Sequence, residues 1–411
     1  MNGKFYYRRQ VATNNTWYTT TDWFNAEIVT YAPANDADIC GANIPVEIVN
    51  EYGMSTKNFI QDARFAYRPP SIIAMSTNTG STMGGDRITL EGISFGPSSS
   101  LAATTVTINN IPGTVISKSH DVIVFDTPSG SGVNLPVVVS WCGQSSAPYL
   151  FRYASPAISS MTPAANIIAG QTLTISGDNF GTDASVISVN IGGNLCTGVT
   201  LTTLHRVLTC TVPIGCCSQQ AVTVTVAGQD SNTLYTNYDR PAITNISPSV
   251  CPTLGGNLVT LTGTSFGSTA MGSNIPLSVA IGASLCDSVS TVCQVTQWTD
   301  TEIILKAPAG EGTNIPVYVY VGDQYSLDAK YLGYNPPVIT NVTPALANTN
   351  GTTVITLTGN DFGTTGRVTI NGKTCTSPSR TATEIICTAP SGAGKNVPVL
   401  LIVAGQSSNS Y

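Results

Sequence analysis

The chain has 411 residues, and its Asp, Glu, Lys and Arg make up only 10% of them, against about 25% in ordinary soluble domains; Ser, Thr, Asn, Gly and Pro must cover its surface instead. A formal net charge of −6, with 17 scattered Lys and Arg, argues against a phosphate-neutralising nucleic-acid surface. Two histidines leave little material for acid–base chemistry or an imidazole metal site, and the longest apolar run, Val397 to Ala404, is strand-length and interrupted by Pro398, far from the roughly 20 residues of a membrane span.

The N-terminal stretch Met1-Asn2-Gly3-Lys4-Phe5-Tyr6-Tyr7-Arg8-Arg9 has no apolar core of the signal-peptide kind. Yet 11 cysteines in a charge-poor chain point to an oxidising compartment. Internal repeats reconcile the two. Four copies share a Gly and then hydrophobic-Thr-Leu-x-Gly-x-x-Phe-Gly, with small shifts, at Gly85–Gly96, Gly170–Gly181, Gly256–Gly267 and Gly351–Gly363. Opening prolines (Pro70, Pro156, Pro241, Pro337), the phenylalanines (Phe95, Phe180, Phe266, Phe362) and closing tyrosines (Tyr67, Tyr153, Tyr238, Tyr334) all keep one spacing. Landmarks that recur together in this way mark a repeat architecture.

In chain order, residues 1–68 fit only the second half of the unit. Met1-Asn2-Gly3-Lys4 matches Ile370-Asn371-Gly372-Lys373, Trp23-x-x-x-Glu27-Ile28-Val29 matches Trp298-x-x-x-Glu302-Ile303-Ile304, and Asn43-Ile44-Pro45-Val46 matches Asn314-Ile315-Pro316-Val317. Complete units follow at 69–154, 155–239 and 240–335, and a last one at 336–411 stops about four residues before its closing tyrosine. The expectation is a window cut from a longer repetitive chain, with donation of the missing strands by another subunit as the alternative. Within each unit, runs such as Val222-Thr223-Val224-Thr225-Val226 and Val317-Tyr318-Val319-Tyr320-Val321 alternate apolar and polar residues, the pattern of half-buried strands. Turn signals such as Pro128-Ser-Gly-Ser-Gly132 and Pro308-Ala-Gly-Glu-Gly312 separate them, and nothing reads as a useful helix. About seven short strands per unit give an all-β chain of tandem immunoglobulin-like β-sandwiches.

Four features together resemble the IPT/TIG family. They are the opening Pro-x-Ile-x-x-Ile-x-Pro (Pro156–Pro163, Pro241–Pro248), the Gly-x-x-Phe-Gly turn, the Pro-x-Gly-x-Gly before a late strand, and the closing tyrosine. The resemblance covers nearly the whole chain. It implies the sandwich fold firmly and function loosely, since related arrays occur in surface receptors, adhesion proteins and extracellular fibres. Junctions of two residues, as between Tyr153 and Pro156, with Pro restricting its predecessor, point to a stiff, elongated array.

Cys196 and Cys210 recur as Cys375 and Cys387 at equivalent positions, so two intradomain disulfides are expected; Cys286 keeps the first position and Cys293 is its nearest partner. For Cys40 and Cys142, a junction-spanning disulfide and two thiols are both open readings, and Cys216, Cys217 and Cys251 form an odd remainder. No Cys-x-x-Cys or spaced histidine supports zinc, and neither Asp36 with Asp38 nor Asp178 with Asp183 recurs as a calcium set. N-glycosylation acceptors occur at Asn14, Asn245, Asn341 and Asn350, the middle two at equivalent positions; Ser/Thr-rich faces suit O-linked sugars.

Asp361-Phe362-Gly363 spells a kinase magnesium motif, but its equivalents are Ser94-Phe95-Gly96, Asn179-Phe180-Gly181 and Ser265-Phe266-Gly267, which makes it a core Phe and a turn Gly. His120 and His205 read as loop or solvent-facing residues. Trp17, Trp23, Trp141 and Trp298 are candidates for exposed sugar or partner contacts, with packing favoured for the equivalent Trp23 and Trp298. The sequence thus predicts a non-enzymatic extracellular or cell-surface protein without cofactor, structural and adhesive, forming a filament or stalk through self-association. The alternatives are a receptor ectodomain that binds a protein partner and the accessory domains of a carbohydrate-active enzyme.

Overall fold

The computed structural model describes residues 64–271 and 275–411, together with the strands Gln10–Thr13, Thr16–Thr19 and Ile44–Pro45. Among the described residues there are strands and three 3-10 turns but no α-helix. The chain forms two compact units, Met1–Ala154 and Ser155–Tyr411. The first holds one described sandwich and the second holds three, each with its own hydrophobic core.

The sandwich at 241–334 illustrates the plan. One sheet runs Ala242–Ser247, Leu258–Thr264, Glu302–Lys306, Val295–Trp298; the other runs Val250–Cys251, Lys330–Tyr334, Ile315–Val321, Leu277–Ile281, Ser284–Cys286. The period-two pattern sets which side chains face inward. Val259, Leu261, Ile303 and Leu305 from the first sheet meet Val279, Val317, Val319 and Val321 from the second, all fully buried. Their partners in register, such as Leu261↔Ile303 and Val279↔Val319, keep the apolar faces aligned. At about 25 cal/mol per Å² of apolar surface, such faces supply most of the stabilisation of each sandwich.

The repeated motif has a steric origin. A Cβ on Gly263 would run into the carbonyl of Ala242 and the ring of Phe266, and the same holds at Gly92, Gly177 and Gly359 against their own first strands and phenylalanines. Only glycine lets the bulged first strand lie this close. The residue before each phenylalanine has a left-handed backbone (Ser94 φ 61°, Asn179 φ 63°, Ser265 φ 56°, Asp361 φ 58°). Short polar side chains tolerate that conformation, which is why Ser, Asn and Asp alternate there. The phenylalanine itself is fully buried in all four sandwiches.

The closing tyrosine has an equally local cause. Tyr153, Tyr238 and Tyr334 donate their hydroxyls to the carbonyls of Pro128, Pro213 and Pro308 at 2.8, 3.1 and 3.0 Å. Their rings lie over Gly130, Gly215 and Gly310, where a Cβ would collide with them. The Pro-x-Gly turn and the tyrosine are therefore two halves of one packing unit.

Candidate functional site at the domain junctions

The sequence elements left unexplained by core packing converge on the junctions between sandwiches. In each sandwich the last hairpin carries Gln-x-Ser: Gln144 with Ser146, Gln229 with Ser231, Gln324 with Ser326, Gln406 with Ser408. The serine hydroxyls accept from the backbone N–H groups of Val139, Val224, Val319 and Leu401 at 3.0–3.1 Å, which fixes the hairpin on its own domain. Three of these glutamines reach backward. Gln324 Nε2 donates to the carbonyl of Tyr238 at 3.0 Å, Gln406 Nε2 to that of Tyr334 at 2.9 Å, and Gln144 Nε2 to that of Tyr67 at 3.1 Å.

At the 238–241 junction the amide is used twice, because Gln324 Oε1 accepts the N–H of Cys217 at 3.2 Å. Ser218 donates its backbone N–H to Asp323 Oδ1 at 3.1 Å and its hydroxyl to Oδ2, and the carboxyl of Asp323 is held below its usual range chiefly by the Ser218 hydroxyl. Arg240 lies 5.8 Å from the ring centroid of Tyr325. The 334–337 junction uses Asp361: Oδ1 accepts from the Thr253 N–H at 2.8 Å and the Thr253 hydroxyl at 3.3 Å, and Oδ2 from Asn335 Nδ2 at 3.1 Å. Glu311 adds bonds from Thr364 Oγ1 at 3.0 Å and the Thr365 N–H at 3.3 Å. The residue that mimics a kinase magnesium ligand is thus occupied on both oxygens as a tie between domains.

The sulfur connectivity differs in part from the sequence expectation. Cys286–Cys293 and Cys375–Cys387 are bonded. Cys196 and Cys210 are not: both stay buried thiols, hydrogen-bonded to one another, which raises Cys196 and lowers Cys210. Their strands bring the two sulfurs together as in the last domain, but without a bond between them. Cys216 and Cys217 are bonded to each other, and Cys251 is a buried thiol that accepts from Asn257 Nδ2 at 3.2 Å. Cys217, with φ 80°, takes the place that Gly132 and Gly312 hold in the neighbouring copies. Cys142 is disulfide-bonded; Cys40 lies outside the described residues.

Asn245 and Asn341 are exposed on the outermost strands Ala242–Ser247 and Val338–Thr343. Asn341 Nδ2 donates to the hydroxyl of Thr343, its own acceptor partner, at 3.0 Å. Asn350 is exposed in a turn and accepts from the Thr352 hydroxyl at 2.8 Å. Asn14, Trp23, Asp36 and Asp38 lie outside the described residues. Asp178 faces Arg206 at 3.9 Å, and Asp183 accepts from the Ser185 N–H at 2.9 Å. Among the described residues no group of three or more His, Cys, Asp or Glu is placed to hold a metal ion.

One aromatic expectation is corrected: Trp141 is buried, at 2% exposure, and is not a surface contact. Trp298 is buried too, at 8%, in the packing role favoured for it. Trp298 Nε1 donates to the carbonyl of Phe266 at 2.7 Å. At the matching place in the first described sandwich Lys118 Nζ donates to the carbonyl of Phe95 at 2.7 Å and sits 5.2 Å from the Trp141 ring, its pKa lowered by burial to about 8. His120 is exposed, whereas His205 is buried at 9% in its loop, with burial lowering its pKa.

A cleft of about 420 Å³ opens at the 238–241 junction, lined among others by Asn194, Cys216, Cys217, Gln220, Met271 and Ile275. Among the described residues its lining is uncharged. The arrangement of these described residues ties neighbouring domains together.

Profiles of the IPT/TIG domain match residues 70–153, 156–239, 241–334 and 337–411. The chain is 26% identical over 331 residues to mouse (Mus musculus) Fibrocystin-L, covering 77% of this chain and 7% of that protein. It is 27% identical over 314 residues to the human (Homo sapiens) protein of that name, covering 72% and 7%. The chain therefore spans a small fraction of the length of these relatives. Among solved structures, the full extracellular region of plexin A4 aligns with 82% of this chain and 30% of its own, at 17% identity and a TM-score of 0.23.

Proposed function

Because this chain belongs to the IPT/TIG domain family, we propose that it is a non-enzymatic extracellular protein whose tandem sandwiches serve a structural and adhesive role, in a filament or a surface stalk. The observation that carries this reading is the repeated glutamine tie, in which the last hairpin of one domain is bonded to the closing tyrosine of the domain before it. Such a tie restricts bending at a junction, a property that a scaffold needs. Disulfides at Cys286–Cys293 and Cys375–Cys387 support an oxidising, extracellular setting. Exposed acceptors at Asn245, Asn341 and Asn350 support N-linked glycans that hydrate a surface with few charges. Self-association through uncharged Ser/Thr-rich faces is the partner mode this surface suits.

Electron microscopy of native material tests the proposal. In-register subunits repeating along a fibre are the expected result. Monodisperse particles that engage a separate protein partner would overturn the filament assignment in favour of a receptor ectodomain.

A further inference from the structure

We infer that the domains at 70–153, 156–239 and 241–334 are built to bear tension along the chain, a property that holds whichever assembly the protein enters. In each, the chain leaves the first strand, crosses to the opposite sheet and there pairs parallel with the segment that ends the domain. The parallel pairs are Thr79–Gly80 with Arg152 and Tyr153, Ile167 with Tyr238, and Val250–Cys251 with Gly333 and Tyr334. Each is closed by two backbone bonds. Arg152 N–H donates to Asn78 O at 2.9 Å and Ala154 N–H to Gly80 O at 2.7 Å; Ile167 N–H donates to Asn237 O at 3.0 Å and Asp239 N–H to Ile167 O at 2.9 Å; Gly333 N–H donates to Ser249 O at 2.8 Å and Asn335 N–H to Cys251 O at 2.9 Å.

The mechanics follow from direction. When the opening and closing segments run parallel, the chain enters at one end of the pair and leaves at the other. Tension through the termini therefore slides the two segments lengthwise and loads both bonds together. An antiparallel hairpin pulled from its open end instead loses its bonds one after another. Burial strengthens the clamp: Ile167 and Cys251 are fully buried and Tyr153, Tyr238 and Tyr334 are within 3% of it, so water has little access to replace a stretched bond. The carbonyls of Tyr238 and Tyr334 also accept the glutamine of the following domain, so load leaving the clamp passes directly into the next sandwich.

Single-molecule force spectroscopy on the full 411-residue chain, held by tags at its two ends, tests the inference. The expected record has a high-force unfolding event for each of these three domains. Reductant helps to assign events, because opening Cys375–Cys387 and Cys286–Cys293, 12 and 7 residues apart, lengthens the chain released from their domains by about 40 and 25 Å. Ala154→Pro removes one clamp donor and is expected to lower the force of one event while its released length stays the same; Asp239→Pro does so for the next domain. A variant that fails to fold loses its event altogether and is recognised by that. The inference is overturned if a folded clamp variant unfolds at the wild-type force.

Discussion

Gln324 and the carbonyl of Tyr238 are bonded at 3.0 Å across a domain boundary, with the glutamine only 6% exposed. The same amide accepts the N–H of Cys217, so a single side chain satisfies one donor and one acceptor of the preceding domain. Gln324→Ala is expected to orphan both, at a cost of about 1–3 kcal/mol for each buried group left unpaired. The loss falls on the junction rather than on either core. Hydrogen exchange should rise at Cys217 and its neighbours while the amides of Val317–Val321 stay protected; uniform deprotection of the sandwich would contradict the assignment.

Tyrosine packing makes a pH prediction. Burial pushes the phenols of Tyr153 and Tyr334 up to about 12, and also raises that of Tyr238. A pKa raised above the unfolded value near 10 means that the neutral form is the one the fold accommodates. Its contribution is fully present below pH 10 and disappears as pH climbs toward 12. Melting temperature is therefore expected to fall over that interval. Tyr334→Phe, which removes the bond to Pro308 at about 1 kcal/mol, is expected to flatten the alkaline fall; an unchanged alkaline profile would argue that the other tyrosines set it.

Glycine at the first-strand crossing is replaceable only at a cost. Gly263→Ala sets a Cβ against the carbonyl of Ala242, which is backbone and cannot rotate away. The expected destabilisation is about 3 kcal/mol, read as a lowered melting transition of the 241–334 domain. Gly256→Ala, where no atom lies within 4 Å, probes the left-handed backbone alone (φ 83°) and should cost about 1 kcal/mol.

The sandwiches were legible because alternation of valine and threonine and the motif glycines both act within a few residues, where sequence and geometry are tightly linked. Val222, Val224 and Val226 face the core as their spacing dictates. The junction glutamines were less visible: Ala227-Gly228-Gln229 and Ala404-Gly405-Gln406 align at once, yet nothing in the hairpin says that its amide reaches a carbonyl some 70 to 90 residues earlier. Trp141 falls on the inward face of its strand, in step with Val137 and Val139, so the alternation already places it in the core, where Gly96 leaves room for its ring. His205 sits in a loop as its sequence context suggests, with a left-handed backbone (φ 66°), but its side chain is buried at 9% exposure.

Sulfur mapping separates the two accounts of Cys196 and Cys210. With thiols blocked after denaturation but without reductant, the structure predicts alkylation at Cys196, Cys210 and Cys251, and protection at Cys286, Cys293, Cys375 and Cys387. A linked Cys196–Cys210 peptide would restore the pairing expected from their alignment with Cys375 and Cys387. The bonded pair in the last domain closes a loop of 12 residues, so Cys375→Ser with Cys387→Ser is expected to cost about 3 kcal/mol, with the loss confined to the 337–411 transition.

Carbohydrate at Asn245 and Asn341 is the remaining expectation that one preparation can check. Both amides stand on the outermost strand of a sheet and face solvent, so a glycan there displaces no packed side chain. Expression through a secretory pathway should give a band that sharpens and shifts on enzymatic removal of N-glycans, and Asn245→Gln with Asn341→Gln should reduce that shift, leaving the part carried by Asn14 and Asn350. Stability should change little, because neither amide is buried, whereas solubility should fall: few charges remain to hydrate the surface once the sugars are gone. An unshifted band, with unmodified peptides at both positions, would assign hydration of this surface to its Ser and Thr hydroxyls alone.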